Sequence, residues 1–114
     1  MKTIFVFESN LAGCHEYGNA SVARAEHGAE YGVSFGMTGN AYAIPVKDEK
    51  LKLLKLDQIA LYVEAFIRFA QANPELEFYV NKIGFGLNAY GRHTMRKLFL
   101  TSLPNIKFDK EWGL

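Results

Sequence analysis

The chain has 114 residues, 49% of them hydrophobic and 22% charged, which describes one globular domain with an ordinary core rather than a disordered segment. A net charge of +1, with no basic block, argues against a duplex nucleic-acid face. A single cysteine, Cys14, excludes an internal disulfide and any cysteine-built metal cluster.

The N-terminal apolar run ends at Glu8-Ser9-Asn10, too early for a secretory h-region, and no run approaches the about 20 apolar residues of a membrane helix. The expectation is a soluble cytoplasmic protein with no membrane partner. The three histidines show no HExxH-type spacing, and no metal or cofactor is expected.

In chain order, Thr3-Ile4-Phe5-Val6-Phe7 is apolar on both faces, as in a central strand covered from both sides. A polar, glycine-bearing loop comes next, over 8–19. Residues 19–29 predict a helix rich in small side chains, with Asn19 at its N-cap and Gly28 near its end. Residues 31–40 are glycine-rich and irregular, a connection with at most a short strand. Ala41-Tyr42-Ala43-Ile44 predicts a second strand stopped by Pro45, with a polar turn over 46–50 and an ambiguous leucine-lysine stretch over 51–56.

Residues 58–72 carry an apolar stripe of Ile59, Val63, Phe66, Ile67 and Ala70. Asp57 is the expected N-cap, and Leu56 and Leu61 the expected hydrophobic staple. Leu76 to Ile83 predicts a third strand. A second glycine loop, Gly84-Phe85-Gly86-Leu87-Asn88-Ala89-Tyr90-Gly91, leads to a helix over 94–103 with Met95, Leu98, Phe99 and Ser102 on one face. A short last strand over 105–108 has an edge able to pair across a homo-oligomer, and Trp112 packs the tail.

The alternation predicts an α/β fold: a compact three-layer domain, residues 1–114, with a mainly parallel sheet of about four to five strands and helices on both faces. Ligands of such sheets bind outside the carboxyl ends of the strands. There lie the segments 8–19, 45–50 and 84–92, which are expected to wall one cleft for a small nucleotide.

Several residues in these segments suit that ligand. Asn10 can accept from and donate to a ribose or base, or hold its own loop. Gly13 and Gly18 tolerate positive φ, and Gly18-Asn19 before a helix suits a phosphate. The Gly84 and Gly86 amides can form an anion nest, with Asn88 and Tyr90 near ribose or base. Lys47 can pair with a phosphate. The binding set is Ser9, Asn10, Leu11, Gly13, His15, Gly18, Asn19, Pro45, Lys47, Gly84, Gly86, Leu87, Asn88, Ala89 and Tyr90.

No catalytic pair is evident. A hydrolase would draw on His15, Asp48 or Glu16 as acid or base. Cys14 beside His15 is a poor nucleophile pair, because sequence neighbours rarely face each other usefully. A third reading is a protein-interaction module using Tyr17 and Tyr90.

Four stretches, Val6–Gly13, Gly18–Ala20, Ala41–Asp48 and Ile83–Tyr90, resemble a compact phage-encoded family of small non-structural proteins with a macro-domain-like, ADP-ribose-binding pattern. The resemblance covers nearly the whole chain. It implies that Asn10 lies on the ribose side, that Gly18 and Asn19 form a first diphosphate loop and that Gly84 to Tyr90 form a second. Cys14-His15-Glu16-Tyr17 stands where macro domains carry consecutive glycines. The family setting implies an anti-defence role, in which a host immune signal such as a cyclic nucleotide is sequestered in the host cytoplasm.

Overall fold

The computed structural model describes residues 2–86, 88–100 and 103–114. The elements are β1 (Lys2–Asn10), α1 (Gly18–Glu26), β2 (Gly36–Thr38), β3 (Ala41–Lys47), α2 (Leu56–Ala72), β4 (Leu76–Val80), α3 (Arg92–Leu98), β5 (Ile106–Phe108) and a 3-10 turn over Lys110–Trp112.

They build one five-stranded sheet in the order β2-β3-β1-β4-β5. Only the β2–β3 pair is antiparallel; β1 pairs parallel with both β3 and β4, and β4 with β5. The expected α/β architecture with a mainly parallel sheet is present.

Alternation along the central strands sorts two apolar layers. Phe7, Ala41 and Ala43 pack with Ala20 and Ala23 of α1. Ile4, Val6, Tyr42 and Ile44 pack with Ile59, Val63, Phe66 and Ala70 of α2 and with Met95 of α3. Helices therefore cover both faces. The α1 side is built from small residues, so that helix sits close to the sheet. The α2 side holds the large rings and the greater burial, where each fully buried Phe or Ile contributes about 1.5–3 kcal/mol.

Trp112 fastens the C-terminus to that side. It is fully buried, and its indole N–H donates to the carbonyls of Val80 (3.1 Å) and Asn81 (2.9 Å).

Several boundaries differ from the sequence expectation. β1 runs on through Glu8, Ser9 and Asn10, because Ser9 still pairs with Pro45 of β3. Pro45 does not stop β3. β2 pairs only with 41–43, so the outer side of Pro45 faces no strand and its missing N–H leaves no ladder bond unmade. Tyr17, in extended conformation, takes the N-cap position of α1, which puts Asn19 inside the helix. Lys55 takes that of α2, with the Gln58 side chain accepting from its N–H at 3.1 Å; Asp57 lies in the first turn. The Leu56–Leu61 staple is absent, since Leu61 is 65% exposed. α3 begins two residues early and ends at Leu98, where Phe99 leaves helical geometry and packs against Trp112. Ser102, expected on its apolar face, lies outside the described residues.

Candidate functional site

The chain leaves β1 toward α1 on one face of the sheet, and leaves β4 toward α3 on the other. Connections that diverge from neighbouring parallel strands open a crevice at their carboxyl ends. A cleft of about 590 Å³ lies there, within the range of small-molecule sites. Glu8, Ser9 and Asn10 come from the end of β1, and Tyr17 to Ala20 from the start of α1. Lys47 and Leu51 come from the end of β3 and the turn after it, Lys82, Phe85 and Gly86 from the segment after β4, and Glu111 from the tail. A smaller cavity of about 290 Å³ shares Glu8, Lys47, Leu51 and Gly86, and adds Gly84, Asn88 and Ala89. The three expected segments thus meet above one edge of the sheet.

The β1–β3 register slips between Ser9 and Asn10, leaving Val46 as an extra residue on β3. Such an irregularity bends the strand and re-aims the side chains beyond it. Asn10 and Lys47 are paired immediately past the slip, at the cleft.

α1 starts without a capping side chain. The first amides of a helix have no acceptor within it, and the helix dipole adds positive potential at that end. Gly18, Asn19 and Ala20 therefore bring an anion-favouring end to the cleft wall.

On the β4 side the arrangement differs from the expected anion nest. The Gly84 N–H donates to Glu8 Oε1 at 3.0 Å. A carboxylate of the chain itself thus occupies the position expected for a phosphate. The Glu8 side presents acceptor oxygens, which suit ligand hydroxyl or amino groups.

Two cations flank the cleft. Lys82 Nζ lies 3.7 Å from Glu111 Oε2, with both side chains about half exposed. Such a pair is worth little in water and yields readily to a ligand. No ion pair engages Lys47 among the described residues.

Other residues of the expected binding set fare unevenly. Ser9 lines the cleft, but its hydroxyl donates to the Ser34 carbonyl. Asn10 lines it too, but both ends of its amide serve its own loop. Its Nδ2 donates to Cys14 O at 3.1 Å, and its Oδ1 accepts from Cys14 N–H at 3.0 Å. Leu11 packs on the α2-side core and lines neither cavity.

Gly13 lies behind the wall. Its φ is +70°, and a Cβ there would meet the Gly32 carbonyl at 2.5 Å, so its glycine serves a backbone crossing rather than a ligand. Pro45 is buried in β3. Tyr90 donates its hydroxyl to Leu54 O at 2.7 Å and also lies outside both linings. Leu87 lies outside the described residues.

His15 is the largest departure. It is 1% exposed, with its ring edge-on to Phe7 at 5.5 Å and to Tyr31 at 5.8 Å, and it lines neither cavity. Neither ring nitrogen makes a hydrogen bond of good geometry, although the Val33 backbone lies near enough to favour the protonated ring. Burial holds its pKa below the ordinary 6.5; the Val33 backbone opposes this and the Arg24 charge adds to it.

Asp48 is likewise occupied. Its Oδ1 accepts from the N–H groups of Lys50 (2.8 Å) and Lys52 (2.9 Å). The Lys52 bond foremost keeps the carboxyl below its usual range, so Asp48 is an anion that ties a turn and is a poor proton donor. Glu16 accepts from the Tyr31 hydroxyl at 3.3 Å outside both linings. The same hydroxyl lies 3.8 Å from Cys14 Sγ. Cys14 reaches the cleft wall while His15 turns to the interior, so the two do not form a nucleophile pair.

Among the described residues no three His, Cys, Asp or Glu gather as a metal site. No described helix is long and apolar enough to cross a membrane.

Glu8, Tyr17, Ala20, Leu51, Lys82, Phe85 and Glu111 are cleft residues that sequence reasoning does not single out as ligand contacts. Glu8, Tyr17 and Phe85 do fall within the segments 8–19 and 84–92 expected to wall the cleft, whereas Ala20, Leu51, Lys82 and Glu111 lie outside all three expected segments. Lys82 and Glu111 are 29 residues apart and meet only through the fold.

The chain matches no protein-family model, no curated protein and no solved structure, so its own geometry carries the functional reading.

Proposed function

We propose that this cleft binds a nucleotide-like ligand, of the ADP-ribose or cyclic nucleotide kind, and holds it without cutting it. The observation that carries the reading is the opposed chemistry of the two walls. An uncapped helix start offers amide donors and positive potential to a phosphate, and Glu8, pinned by the Gly84 amide, offers acceptors to hydroxyl or amino groups. A ligand with an anion at one end and sugar or base donors at the other matches both. The phage-family resemblance extends this to sequestration of a host nucleotide signal.

The hydrolytic alternative loses its named acid–base groups, because His15 is buried off the cleft, Asp48 ties its turn and Glu16 lines neither cavity. It retains Glu8, the one carboxylate on the cleft floor that both cavities share.

Thermal unfolding against ADP-ribose, NAD, cyclic ADP-ribose and cyclic dinucleotides tests the reading. Saturation at a hundred times the dissociation constant adds about 2.7 kcal/mol, which raises the midpoint by several degrees. Ligand released intact by heat is the expected result; altered ligand moves the assignment to a hydrolase through Glu8. No shift with any compound overturns the proposal and favours the protein-interaction reading.

Gly86→Phe is the matched blocking variant. Gly86 lines both cavities, a Cβ there meets nothing within 4 Å, and its φ is not in the left-handed region, so a bulky side chain is expected to crowd the cleft without breaking the fold. Asn10 is the worse choice, since its replacement also releases the Cys14 turn.

A further inference from the structure

We infer that Tyr17 and Leu51, which line the same cleft, supply the apolar surfaces of a subsite for a flat heteroaromatic ring, the base of the ligand; this rests on the nucleotide reading of the cleft. Tyr17 is 81% exposed and lines the cleft at the N-cap of α1. Its ring stacks on no other aromatic among the described residues. Its backbone is fixed by the start of the helix, so the ring is anchored at one end and bare over its faces.

Leu51 comes from the connection to α2, on the opposite side of the sheet, and lines the same cleft at 52% exposure. Its φ is +63°, a conformation that a bulky, branched side chain rarely adopts. A tight turn enforces it. The Asp48 carboxylate binds the amides of Lys50 and Lys52, the Leu51 N–H donates to Asp48 O at 3.0 Å, and Lys47 pairs with Leu53 across the base.

Glycine would take that conformation at no steric cost. A half-exposed leucine recovers little of the strain by burial, which leaves its apolar surface open to a contact beyond the chain. A planar ring suits the pair better than an alkyl chain. It stacks on an aromatic face, and the Glu8 acceptors and uncapped amides beside it require a ligand that is polar elsewhere.

Calorimetric titration with AMP and with ribose 5-phosphate, which lacks the ring, tests this on wild type, Tyr17→Ala, Tyr17→Trp and Leu51→Gly. Wild type is expected to bind AMP about tenfold or more tightly than ribose 5-phosphate. Tyr17→Ala should erase most of that preference and leave ribose 5-phosphate unchanged, while Tyr17→Trp keeps it. Leu51→Gly should raise the melting temperature and weaken AMP, a combination that a merely structural leucine would not give.

Two results overturn the inference and leave the nucleotide reading standing: AMP affinity unchanged in Tyr17→Ala and Leu51→Gly, or AMP and ribose 5-phosphate weakened alike. Wild-type binding of neither compound also overturns it, and the thermal-shift panel then decides the cleft reading separately.

Discussion

At the scale of single residues, His15 belongs to the core rather than to the cleft, and its burial makes stability depend on pH. The unfolded chain takes up a proton near the ordinary pKa of 6.5, while the buried ring resists it. A folded pKa below the unfolded one means that the unfolded state binds more protons as acid is added. The His15 contribution is therefore complete above about pH 6.5 and lost as pH falls below it. The expected outcome is a thermal midpoint that declines between about pH 7 and pH 5 in wild type and far less in His15→Phe. Asp48 and Asp109 do not confuse this window, because backbone hydrogen bonds foremost keep both below their ordinary 3.8. An unchanged slope in His15→Phe would assign the effect to another group.

At the scale of elements, the ends of helices decide much of the local order. α2 has no basic residue in its last turn and has Asn73 as its C-cap, yet its final carbonyls are not left bare. Asn105, buried just before β5, directs Nδ2 to the carbonyls of Ala70 (2.9 Å), Leu76 (3.1 Å) and Asn73 (3.2 Å). One amide thus fastens the exit of α2 and the entry of β4 to the edge strand. Asn105→Ala removes that donor, but Ala70 O still accepts from the Asn73 N–H (3.2 Å) and Asn73 O from the Leu76 N–H (3.1 Å), so the cost is that of lost hydrogen bonds, about 0.5–1.5 kcal/mol. Chemical denaturation should show that loss, and amide exchange should show the last turn of α2 opening first. Nothing in the sequence around Asn105 signals the role, because its partners lie about thirty residues away.

At the scale of the whole molecule, the C-terminal tail closes both the core and the site. Trp112 contacts Phe85, Phe99 and Phe108 edge-on, with ring centroids 4.7, 5.0 and 5.3 Å away. Phe85 in turn lines the cleft, and Glu111 stands on its rim. Trp112→Ala should cost about 3–5 kcal/mol, a large part of the roughly 5–15 kcal/mol that holds a domain of this size together. Urea unfolding measures it. The same indole, the only one in the chain, is one ring from the cleft, so its fluorescence should respond to any compound that binds there.

The sequence alone determined the class of fold and the edge on which the cleft opens. Continuous apolar runs at 3–7 and 41–44 and the stripe of α2 are local signals of burial, written in one short window each. The two glycine loops could be read in the same way, and Gly18, Asn19, Lys47, Gly84 and Gly86 do reach the cavities. Tertiary structure alone decided which way side chains turn and which donors are already used. His15 faces the core because Phe7 and Tyr31 receive it there, and the Gly84 amide is taken by Glu8, 76 residues away. Pro45 sits inside a strand because β2 is too short to reach it. A polar group's availability depends on every neighbour the fold brings to it, and those neighbours are distant in the chain.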